Sequence, residues 1–75
     1  MMTLKEYKLL KNEDQYKMLF TKGEFIIYRL EPKSRFALYA LEKFFVEVEY
    51  DFKNNKILNK IVFVDGYKLE IYSKL

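Results

Sequence analysis

From Phe44 to Asp51 the chain alternates without a break. Phe44, Val46, Val48 and Tyr50 fall on one side, and Phe45, Glu47, Glu49 and Asp51 on the other. A strand turns successive side chains to opposite faces, so this stretch predicts a half-buried β-strand with one apolar and one acidic face. A strand of this kind has to pair and has to be covered on its apolar side. Lys53, Asn54, Asn55 and Lys56 follow it and predict a turn, since Asn tolerates the left-handed backbone that tight turns need. Ile57 to Val64 then predicts a second strand, making 44–64 a hairpin in which Lys53, Lys56 and Lys60 offset the acids opposite.

The rest of the chain is arranged around that hairpin. Leu4, Tyr7 and Leu10 follow helical spacing, as do Tyr16, Leu19 and Phe20. Asn12 with Gln15 three residues on matches a capping box, Glu13 and Asp14 suit the positive end of a helix, and Gly23 offers a stop. A helix over 13–22 is expected, preceded by a short helical turn at 3–10, the two being either separate or one bent helix. Phe25 to Leu30 is β-branched and aromatic and predicts a strand over 24–31, closed by Pro32. Residues 35–41 fit both periods. Phe36, Leu38 and Ala40 alternate with Ala37, Tyr39 and Leu41, whereas Ala37, Leu38, Leu41 and Phe44 also suit a helix; the strand is preferred. Asp65-Gly66 is a turn signal, and 67–75 fits a short helix or a strand. The reading is a single α+β domain over 1–75: an N-terminal helix packed on a four-stranded antiparallel meander with strands near 24–31, 35–41, 44–52 and 57–64.

The stretch Arg35-Phe36-Ala37-Leu38-Tyr39, continued by Phe44 to Asp51 and by Asn55-Lys56-Ile57, resembles a set of small uncharacterised bacterial proteins. It covers about the middle third of the chain. The resemblance implies a hairpin turn at Glu42-Lys43, where those proteins carry Gly-Asp, and it implies no activity.

Composition narrows the chemistry. Neither cysteine nor histidine occurs among the 75 residues, which removes the thiol nucleophile, the redox switch and the commonest metal ligand and general base. Thr3, Thr21, Ser34 and Ser73 therefore have no histidine to activate them, and the reading is not an enzyme, with no cofactor and no metal. Glu47, Glu49 and Asp51 would lie about 7 Å apart along a strand face and could hold a hard cation. Alternating charge is also what a half-exposed strand normally carries, so a solvated acidic face is the expectation. Lys5, Glu6 and Lys8 interrupt any leader-like apolar run, which with the missing cysteine points to the cytoplasm.

Fourteen aromatic residues in so short a chain exceed what a small core needs. The leading reading is a small protein–protein interaction or regulatory module, a homo-oligomer and most simply a homodimer, with Phe25, Tyr28, Phe36, Tyr39, Phe45 and Tyr50 as contact residues. The net charge of +3 comes from residues 1–38, which hold eight basic and five acidic groups. That asymmetry supports an alternative, a nucleic-acid-binding module using Lys17, Lys22, Arg29, Lys33 and Arg35 beside nearby tyrosines. The glycines of an RRM-type strand are missing from Lys43 to Tyr50, and Glu47 and Glu49 would repel phosphate there, so nucleic acid is the less favoured partner.

Overall fold

The structure, a computed structural model, describes residues 2–64 and 70–72. Two helices, α1 (Leu4–Leu9) and α2 (Asn12–Lys22), precede four strands, β1 (Glu24–Leu30), β2 (Ser34–Leu41), β3 (Phe44–Asp51) and β4 (Ile57–Phe63). The strands form one antiparallel sheet in chain order, β1-β2-β3-β4, and residues 70–72 are helical. This is the expected α+β meander, and the segment 35–41 is a strand. The turn expected at 65–66, and 67–69 and 73–75 of the tail, lie outside the described residues. No described helix is long and apolar enough to cross a membrane.

The N-terminal helices differ from expectation in how they are capped. Thr3 and Glu6 form the reciprocal capping box, at 2.9 and 3.1 Å, and it opens α1. Asn12 is the first residue of α2 rather than its cap; Lys11 precedes it and caps with no side-chain bond. Leu10 and Lys11 are extended (ψ 153° and 151°), so the two helices are separate rather than one bent rod. The break leaves backbone carbonyls without helical partners, and buried Gln15 fills the gap. Its Nε2 donates to the carbonyls of Leu10 (3.0 Å) and Lys8 (3.5 Å), while the buried Tyr7 hydroxyl donates to the Gln15 carbonyl at 2.7 Å. Burial holds that hydroxyl up at about 12. Gly23 ends α2 with an ordinary φ of −73°, and a Cβ there would lie 2.4 Å from the Leu19 carbonyl oxygen.

Register assigns each side chain a face. In β2 and β3 the pairs Arg35↔Tyr50, Ala37↔Val48, Tyr39↔Val46 and Leu41↔Phe44 share the face toward the helices. There Leu41, Phe44, Val46 and Val48 close on Tyr7 and Leu19, and Leu4, Leu10, Met18 and Val62 pack around them. Each fully buried side chain of this size contributes roughly 1.5–3 kcal/mol. The opposite face carries Phe36, Leu38, Ala40, Phe45 and Glu47. The β2–β3 hairpin turns through Glu42-Lys43 with Glu42 at φ 56°, and the β3–β4 turn places Asn55 at φ 57°, the left-handed role expected of an asparagine there.

Candidate interaction surface

β1 is one edge of the sheet. Of its seven residues only Arg29 is shielded; Phe25, Ile26, Ile27, Tyr28 and Leu30 are all exposed, Leu30 at 64%. The direction of its backbone groups follows from two bonds. The Glu31 amide donates to the Ser34 carbonyl at 2.9 Å, and the Phe52 amide donates to the Lys33 carbonyl at 3.2 Å. Antiparallel ladders alternate, so the amides and carbonyls of Ile27, Arg29 and Glu31 face β2, and those of Tyr28 and Leu30 point away from the sheet. Among the described residues no strand lies beyond them. The register shift between Phe25 and Ile27 makes Ile26 an extra residue near the start of the strand, leaving Ile27–Leu30 regular.

Rings continue this apolar edge up the flank of α2. Tyr28 lies 4.6 Å from Phe25, Phe25 5.7 Å from Tyr39, Tyr39 5.8 Å from Phe20, and Phe20 6.0 Å from Tyr16. Phe20 is itself exposed. Burial, and then its neighbour Tyr50, pushes the Tyr39 hydroxyl up to about 12, so it remains a neutral donor at the foot of this series. Arg35 lies between two rings, 5.0 Å from Tyr28 and 4.9 Å from Tyr50, and donates to the Asn55 side chain. Such stacking holds the guanidinium in place at that end of the edge.

The opposite edge, β4, is also exposed at Ile57, Leu58 and Ile61, but Asn59 and Lys60 interrupt its middle. Lys60 folds over the Tyr16 ring at 4.7 Å and donates to Asn12, and burial lowers its ammonium below the ordinary value.

Of the six aromatic residues expected at a contact, the fold brings Phe25, Tyr28 and Tyr39 together and sets Tyr50 beyond Arg35 on the same face. Phe36 and Phe45 are on the other face, half-buried, Phe36 beneath Arg29 and Phe45 stacked on Phe63 at 5.8 Å. The five cations of the nucleic-acid reading are dispersed. Lys17 and Lys22 flank a shallow groove on α2, Lys33 is in the β1–β2 turn, and Arg29 and Arg35 leave opposite faces of the sheet.

The acidic face is the main departure from expectation. Glu47 is 1% exposed, and Arg29, not a lysine of the hairpin, is the cation beside it, at 3.2 Å. Glu49 accepts from the Ser34 hydroxyl at 2.8 Å and Asp51 from the Asn54 side chain at 2.7 Å. Among the described residues no cluster of acids gathers to hold a metal ion. Phe20, Ile26, Ile27 and Leu30 also belong to the exposed surface, beyond the six aromatic residues expected there, and the unbroken apolar run Phe25–Tyr28 is the sequence signal for it. Compared with protein families, curated proteins and solved structures, the chain gives no match.

Proposed function

We propose that this chain is a small protein–protein interaction module that self-associates by antiparallel pairing of its β1 edge with that of a second copy. The carrying observation is the edge itself: the outward-pointing backbone groups of Tyr28 and Leu30, flanked by exposed Phe25, Ile26 and Ile27. An unblunted apolar edge is a template for another strand.

Charge favours a second copy as the partner. A two-fold contact sets like against like, so any free cation at its centre meets its own image. The one cation of β1, Arg29, is turned inward on Glu47, and Arg35 nearby is stacked between rings. No free cation therefore stands on the rim between Phe25 and Leu30, in a protein of net charge +3. The two-fold also places both α2 helices on the same side of an extended sheet, letting the aromatic series from Phe20 to Tyr28 meet its counterpart.

Sedimentation equilibrium over a wide concentration range is the test. A reversible dimer that persists or tightens in high salt is expected, because apolar association is strengthened where ionic contacts are screened. A strictly monomeric profile at high concentration overturns the reading. Binding to an oligonucleotide that fades steeply with salt would replace it with the nucleic-acid one.

A further inference from the structure

Arg29 leaves β1 on the face of the sheet away from α1 and α2. Its guanidinium carbon stands 4.1 Å from the centre of the Phe36 ring on β2, and its Nη2 donates to Glu47 Oε2 on β3 at 3.2 Å. The Tyr72 hydroxyl donates to the same Oε2 at 2.7 Å, and the Tyr72 ring lies 5.4 Å from the guanidinium. All three groups are shielded: Glu47 is 1% exposed, Tyr72 7%, and the Arg29 side chain 12%. One carboxylate oxygen thus ties together an edge strand, an inner strand and the C-terminal helical residues.

The electrostatics agree with this arrangement. Burial alone would lower the Arg29 guanidinium, but the hydrogen bond to Glu47, with Tyr72 beside it, holds it above its ordinary value. Burial, and then the Glu47 carboxylate, raises the Tyr72 hydroxyl, which keeps its proton and donates it. A buried ion pair gains from each hydrogen bond its groups make and from the exclusion of water, and here the buried Arg29 Nε has no such bond among the described residues, so the Glu47 end carries the contact. Tyr72 supplies a bond to Oε2 and, with its ring, part of the cover over Arg29.

We infer that Tyr72 is a latch on the β1 edge. With Tyr72 docked, Arg29 is held across β2 and β1 is ordered; with Tyr72 released, water reaches the pair and the hold on β1 loosens. The loosening concentrates on β1 because β2 and β3 have ladder partners on both sides and β1 has one. Linkage makes the effect reciprocal: whatever binds the ordered edge favours the docked tyrosine. As a control on self-association this rests on the function proposed above; as a control on the order of β1 it stands apart from it.

Hydrogen exchange on full-length Tyr72→Phe and Tyr72→Ala variants tests the latch. In Tyr72→Phe the amides that β1 donates to β2, at Ile27, Arg29 and Glu31, are expected to exchange roughly tenfold faster, as loss of one charge-assisted bond implies. Tyr72→Ala, which also removes the ring, accelerates them further. The β2 amides that face β3, at Arg35, Ala37 and Tyr39, change less than about twofold. Equal acceleration throughout the sheet, the mark of a general loss of stability, overturns the inference, and so does no change at β1. Sedimentation equilibrium on the same variants then reads a weaker dimer. A wild-type protein that is monomeric at every concentration removes the self-association reading and leaves the exchange pattern to decide the latch.

Discussion

The two edges of this sheet have similar composition and opposite character. β1 and β4 are each seven residues long, each has a register shift near its start, and each exposes several large apolar side chains. β4 is blunted by a polar pair at its centre, Asn59 exposed and Lys60 folded over Tyr16. β1 also carries a cation, at its penultimate residue, but Arg29 crosses β2 to a buried carboxylate, so Phe25 to Tyr28 and Leu30 keep the rim apolar. An edge residue has two uses: it can guard the rim or serve the interior. β4 uses its cation near the rim, and β1 uses its cation inside.

The largest effect comes from removing the inward use. Arg29→Leu leaves the buried Glu47 carboxylate without its cation, and breaking a buried pair in this way costs about 3–5 kcal/mol. Urea denaturation should show that loss, which is a large part of what a domain this small can hold. A smaller effect separates the edges directly. Leu30→Lys puts a charge on the bare rim of β1 and is expected to weaken self-association by roughly tenfold or more, through like-charge opposition across the two-fold. Leu58→Lys, the matched change on β4, leaves association unaltered; equal sensitivity at both edges would erase the distinction. The smallest effect runs the other way. Asn59→Ile removes one guard from β4, raising stability by less than about 1 kcal/mol and adding slow second-edge association, visible in light scattering at high concentration.

Most of the fold was legible in local pattern. The 44–64 hairpin follows from period-two alternation and an asparagine turn, and 35–41, where both periods fit, is settled by having a strand partner on each side. What escaped depends on partners remote in the chain. Glu47 has the pattern of a solvated face, yet it is buried because Arg29, 18 residues earlier, arrives from two strands away and Tyr72, 25 residues later, closes over it. Asn12 has the composition of a cap, but Thr3 holds the capping box, because the chain makes two helices and fills the break with Gln15. The edge was half legible. An apolar run such as Phe25–Tyr28 reads alike in a central strand and at a rim, and only the order of strands decides which residues are left uncovered.

The crossing from Arg29 to Glu47 has one more consequence, for how the chain finds its native pairing. Side chains on a strand change face at every step, so a slip of one residue between β1 and β2 would swing Arg29 to the helix side of the sheet. Glu47 would then be enclosed without that cation. Apolar neighbours such as Ile26 and Ile27 distinguish poorly between the two alignments, since either can fill the same space. The ion pair does distinguish them: it acts as a proofreading contact, rejecting the misaligned sheet by the free energy of the pair that it would lose.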